Sequence, residues 1–204
     1  MTPSDITTAD TTPDRHTGAT RLIHAGLAGA IIVQLASSQI MKPDGAGNTA
    51  FVVHQYAGLV AFGFVLAFWA NSMLRRIGTP LGLMIPWVSG ARLRALGQDV
   101  MAHLTALRRL RLPAHDRASP LASAVHGLGL LLMTAMAASG VAYYFLNTGD
   151  PDAGGAIGWI MTVHVGLANL VWIYLIGHAA MAVLAHLAGS LPLGRMWSTR
   201  RNDV

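Results

Sequence analysis

The chain has 204 residues, 53% of them hydrophobic and only 11% charged, with a formal net charge of +5 and no cysteine. A soluble domain carries roughly 25% charged residues, so a membrane protein is the first class to consider. The missing cysteines exclude disulfides, thiolate zinc sites, iron–sulfur clusters and covalent c-type haem attachment.

In chain order, the leader 1–20 is rich in Thr and Asp and has the composition of a disordered segment. Four uncharged apolar stretches follow, Leu22–Met41, Ala50–Leu74, Pro120–Leu146 and Ile157–Leu187. Each reaches the ~20 residues needed to cross a bilayer core. The first follows a polar leader and exceeds the roughly 7–15 residues of a signal-peptide core, so it reads as a retained helix. The links Lys42-Pro-Asp-Gly and Gly149-Asp-Pro-Asp are short and turn-forming, which makes consecutive helices antiparallel neighbours. The expected fold class is all-α: a membrane four-helix bundle, up-down-up-down. Residues 21–190 form the bundle domain and 191–204 a tail. No internal repeat stands out.

The long connection runs from Arg75 to Ser119. Its first part, Ile77–Trp87, contains two prolines; its second, Ala91–Leu112, spaces Leu93, Leu96, Val100, Leu104 and Leu107 helically with arginines between. The second part predicts an amphipathic helix on the membrane surface. Arg15 and Arg21, the eight arginines between the second and third spans, and Arg195, Arg200 and Arg201 fall on one side of the four crossings. The positive-inside rule makes that side the cytoplasm, with both termini there and the bacterial inner membrane as location. The opposite face has Lys42 against Asp44, Asp150 and Asp152. The arginines thus read as topology determinants and lipid-headgroup partners, not a nucleic-acid surface.

Nine histidines are present. His24, His54, His126, His164 and His178 lie within spans, where an ionisable side chain is expensive and marks a functional candidate. His24 lies near the cytoplasmic start of the first helix and His54 near the outer start of the second. His178 follows His164 by fourteen residues, a rise of ~21 Å with a net rotation of about 40°, so both project from nearly one face. The depths suggest two bis-histidine haem sites, an outer one from His54 and His164 and an inner one from His24 and His178. The histidines could instead be polar glue or a proton relay between helices, but four at matched depths fit that reading poorly. Compact zinc spacing is missing from these four. His126 shares the depth of His24 and could replace either inner ligand, or serve a quinone pocket or proton path. Gly26, Gly58, Gly166 and Gly177 beside the ligands could admit a flat macrocycle or simply serve helix packing. His16, His103, His115 and His186 lie in polar or interfacial segments and read as solvated or lipid-facing.

Arg21-Leu-Ile-His24 at the start of the first helix, His54-Gln-Tyr-Ala-Gly58 at the start of the second, and His164 with His178 on the last resemble the bacterial cytochrome b561 proteins. They also resemble the cytochrome b subunits of nickel-iron hydrogenase and formate dehydrogenase. The resemblance covers nearly all of the chain after the leader. It implies two haem b groups, with His24 paired to His178 and His54 to His164. It also implies a quinone next to the inner haem, which makes His126 and Ser123 its candidate neighbourhood.

Two functions follow from that resemblance. One is electron transfer between a periplasmic dehydrogenase or cytochrome subunit and quinone. The other is an autonomous superoxide:quinone oxidoreductase, which the acidic balance of the outer loops disfavours because superoxide is an anion. A haem-free adaptor or transporter ranks last, since no intramembrane carboxylate or arginine offers a coupling-ion site.

Overall fold

The computed structural model describes residues 17–41, 48–75, 81–109, 119–147, 154–187 and Gly189. The leader 1–16, the outer-loop residues Lys42, Asp44, Asp150 and Asp152, His16, His115 and the tail 191–204 with its arginines lie outside the described residues. Among the described residues all regular structure is helical.

Four helices are long and apolar enough to cross a membrane: α1 (Gly18–Ser38), α2 (Thr49–Leu74), α5 (Pro120–Leu146) and α6 (Ala156–Leu187). Between α2 and α5 lie a short α3 (Leu81–Met84), a 3₁₀ turn (Pro86–Val88) and α4 (Gly90–Arg108). Helices α1, α2 and α5 start where a side chain satisfies an orphan amide. Thr17 accepts from the Thr20 N–H at 3.2 Å, Asn48 from Phe51 at 3.0 Å, and Ser119 from Ala122 at 3.1 Å. Thr17 therefore begins α1 four residues before the expected Leu22, ahead of Arg21. Pro120 occupies the first turn of α5, where no N–H is needed. Helix α4 runs to Arg108, and the expected boundary at Leu112 lies outside the described residues.

Helix α1 packs on α2, α2 on α5 and α5 on α6, while α3 and α4 pack on the N-terminal part of α5. The close approach of α3 depends on Gly127, because a Cβ there would run into the Met84 carbonyl. The buried core joins Leu27, Ala30 and Leu35 of α1, Ala61 and Val65 of α2, Met133 of α5 and Val171 of α6. Val171 lies seven residues from both His164 and His178, so this apolar cluster fills the middle of the bundle between two histidine levels. Trp69 Nε1 donates to Thr134 Oγ1 at 3.0 Å and ties α2 to α5 there. Helix α6 otherwise exposes large apolar side chains, among them Trp159, Val165, Leu170, Ile173, Ile176 and Met181. Such a surface is stable against lipid and not against water.

Candidate functional site: two histidine levels in the bundle

At the bundle end where α1 finishes and α2 begins, His54 of α2 and His164 of α6 face each other with ring centroids 6.4 Å apart. At the other end, His24 of α1 and His178 of α6 have the same separation, 6.4 Å. An imidazole nitrogen bonds a metal at about 2.0–2.1 Å, and the ring centre lies about 1 Å behind it, so two rings bound to one metal from opposite sides have centroids about 6 Å apart. Both pairs meet that requirement.

The His54 level is also fixed in tautomer. His54 Nδ1 lies 3.1 Å from Ser37 Oγ and 3.2 Å from the Gln34 carbonyl, both on α1. A carbonyl only accepts, so Nδ1 carries the proton and Nε2 keeps its lone pair. Ser37 can accept from the ring because its own hydroxyl donates to the Val33 carbonyl at 2.7 Å. His164 is held the same way from α5: Ser139 Oγ lies 3.0 Å from Nδ1 while its hydroxyl donates to the Met136 carbonyl at 2.9 Å. The Met136 carbonyl is also a hydrogen-bond partner of the His164 ring. A bare Nε2 on each ring is what haem iron requires of its ligands.

The His24 level holds three rings. His126 of α5 stands 5.4 Å from His178 at 88°, and Tyr174 stacks on His178 at 5.4 Å and 13°. His126 Nδ1 donates to the Ala122 carbonyl of its own helix at 2.6 Å. At 5.4 Å the rings of His126 and His178 are closer than two rings bound to one metal from opposite sides, whereas His24 and His178, at 6.4 Å, meet that separation. Ser123, one turn before His126, is 2% exposed, and its hydroxyl has no hydrogen-bond partner among the described residues. Among the described residues no group of three or more histidine or acidic side chains is placed to hold a metal ion.

The four glycines beside the paired histidines divide into two kinds. Gly26 is covered by the Phe64 ring and Gly58 by the Gln34 amide, so these two serve helix packing. Gly166 and Gly177 on α6 have nothing within 4 Å of an added Cβ and leave open space beside His164 and His178. The close approach of α5 to α6 instead needs Gly129, against which the Tyr174 ring lies, and Gly140, where a Cβ would sit 2.9 Å from His164 Cε1.

Sequence reasoning missed Ser37, Ser139 and Gln34, although a signal was present. On α1 a serine follows His24 by thirteen residues, and on α5 a serine follows His126 by thirteen; each serine bonds the first histidine of the next helix. The α1–α2 and α5–α6 hairpins thus share a short pattern where no repeat was expected, with His126 as the hairpin counterpart of His24. His103, expected to be solvated or lipid-facing, is partly exposed and has a partner as well. It lies 3.1 Å from Asp99 Oδ1, and Asp99 in turn accepts from Ser119 Oγ at 2.7 Å and the Leu121 N–H at 3.0 Å. Helix α4 thereby completes the cap of α5. Burial opposes ionisation of Asp99, but the Leu121 N–H, the Ser119 hydroxyl and His103 together hold its carboxyl below the ordinary range.

An apolar four-helix bundle with facing histidine pairs at two levels and no cysteine has the build of a membrane cytochrome of the b type. The family model described as prokaryotic cytochrome b561 matches residues 15–199, and the chain belongs to that family. Membership makes it a bacterial membrane protein that binds haem b and takes part in electron transfer. No curated protein and no solved structure matches the chain.

Proposed function

We propose that this chain is a di-haem b-type cytochrome of the bacterial inner membrane that passes electrons between a donor or partner subunit on the outer face and the membrane quinone pool. His54 and His164 hold the outer haem, His24 and His178 the cytoplasmic one. Both termini lie in the cytoplasm, with 21–190 as the haem domain between the leader 1–20 and the tail 191–204. The observation that supports this most is the equal 6.4 Å separation of the two histidine pairs, one at each end of the apolar core. Haem held between two imidazoles supplies reversible one-electron chemistry.

The chain's own residues do the rest. The Nδ1–H donors of His54 and His164 are held by carbonyl and serine oxygens, so the imidazoles keep their tautomer and orientation. The apolar cluster around Val65, Met133 and Val171 keeps water out between the levels. At the cytoplasmic level quinone reduction needs a proton donor as well as electrons. His126, exposed beside His178, and the buried Ser123 hydroxyl are the groups placed for that role.

The test is reduction of the purified, reconstituted protein by a soluble quinol under anaerobic conditions. Haem bands of the b type that appear within the mixing time of a stopped-flow instrument support the reading. Bands that respond to dithionite but never to quinol refute the quinone link. If superoxide alone drives reduction at the outer face, the autonomous oxidoreductase takes its place.

A further inference from the structure

The two serine contacts of the outer level reach beyond the ligand set. Ser37 and Ser139 come from different helices, α1 and α5, and each faces the Nδ1 of a histidine on the neighbouring helix at 3.1 and 3.0 Å. Each hydroxyl proton is already committed to a carbonyl of its own helix. The oxygen lone pairs are therefore left for the ring. We propose that Ser37 and Ser139 are positioning residues for the outer haem: each joins a backbone carbonyl in accepting the Nδ1–H of its histidine, and so raises the donor strength of the Nε2 that faces the iron. The inference rests on the assignment of His54 and His164 as haem ligands.

The chemistry gives a direction. An imidazole whose Nδ1–H is donated to an acceptor gains electron density at Nε2 and binds the ferric ion more strongly than the ferrous one. Two such imidazoles on one iron favour its oxidised state. At the other level His178 is stacked on Tyr174, and the two serines contact the outer rings instead. The serines thus lower the outer reduction potential without altering the inner one. The same pattern occurs in both hairpins, thirteen residues after His24 and after His126, which argues against an incidental polar contact. A serine in a membrane helix is usually satisfied by its own backbone alone, and these two reach across to a second helix as well.

The test is a spectroelectrochemical titration of the haem-loaded full chain, with the outer component defined as the one missing from His54→Ala. In the Ser37→Ala/Ser139→Ala double variant both haems are retained. The outer equilibrium moves about tenfold toward the reduced form, or about 59 mV for a one-electron couple, and the inner potential stays put. Ser37→Thr, which keeps the hydroxyl, retains the wild-type value, and Ser37→Val moves in the alanine direction. An unmoved outer potential in the double variant, a parallel shift of both potentials, or identical behaviour of the threonine and valine variants overturns the inference while leaving the ligands in place. A wild type with no haem component that depends on His54 overturns the ligand assignment itself and this inference with it.

Discussion

Gln34 and His54 clasp each other across the α1–α2 interface: the Gln34 amide donates to the His54 backbone carbonyl, and the His54 ring Nδ1 meets the Gln34 backbone carbonyl at 3.2 Å. The side chain of one residue satisfies the main chain of the other in both directions. Gly58 makes room for this, since a Cβ there would lie 2.9 Å from Gln34 Nε2. The relationship fixes the height of α1 against α2 at the depth of the His54 ring.

Gln34→Leu keeps the volume and removes the donor. Interhelical hydrogen bonds in membranes contribute on average about 0.6 kcal/mol and at most about 1.7, so a loss within that range is expected. Thermal unfolding in detergent, followed at the haem absorbance, should show a small decrease in midpoint. Gly58→Leu at the same contact should cost more, because overpacking displaces Gln34 and both hydrogen bonds with it, about 1–3 kcal/mol.

Gly129 supports the stack of Tyr174 on His178 by letting the ring lie against α5. Gly129→Val therefore pushes Tyr174 toward His178. It should perturb the spectrum of the cytoplasmic haem alone, at a cost of about 1–3 kcal/mol in stability. Tyr174→Phe keeps the stacking face and should leave that spectrum as in the wild type. Low-temperature difference spectra of the two variants make the comparison.

His126→Ala should retain two haems per chain, because the pair at the 6.4 Å separation on that level is His24 with His178. His24→Ala should lose one. Pyridine haemochrome content per polypeptide distinguishes the two outcomes, and a reversed result would make His126 the ligand. If His126→Ala also leaves quinol-driven reduction at its wild-type rate, its proton-donor role is wrong.

Asp99 makes the docking of α4 sensitive to acid. Its folded carboxyl ionises below the ordinary value of 3.8, so the interaction is complete above that value and is lost as the pH falls through the lower, folded one. Hydrogen exchange of the Leu121 and Ala122 amides should be slow from neutrality down to about pH 4 and accelerate below it. Asp99→Ala should remove the protection of Leu121 at every pH and cost about 1 kcal/mol, the typical value of a lost cap.

The spans were legible because an uncharged apolar run of that length has few alternatives, and Pro120–Leu146 was read to the residue. The ends were less so. Thr17 starts α1 through a hydroxyl cap, a local signal that the charge of Arg21 outweighs when spans are judged by hydropathy. The histidine levels could be read from helical rise alone, since His164 and His178 share a face. Ser37 and Ser139 left only their thirteen-residue spacing after His24 and His126 as a sign, because a serine in an apolar helix looks like a residue bonded to its own turn. Only the neighbouring helix reveals the second contact. Asp99 likewise reads as a solvated charge on an amphipathic helix until Ser119 and Leu121 are brought against it. His126 was recognised as sharing the depth of His24, and depth says nothing about azimuth, which is what separates a trans ligand from a neighbour.

The most direct test of the account is the haem content of the purified full chain, measured as pyridine haemochrome against quantitative amino-acid analysis, with a dithionite-reduced minus oxidised spectrum on the same sample. The account predicts two b-type haems per chain, falling to one in His54→Ala and to one in His24→Ala. One haem per chain in the wild type, or a single variant that removes both while the protein remains folded, would contradict the two-level arrangement.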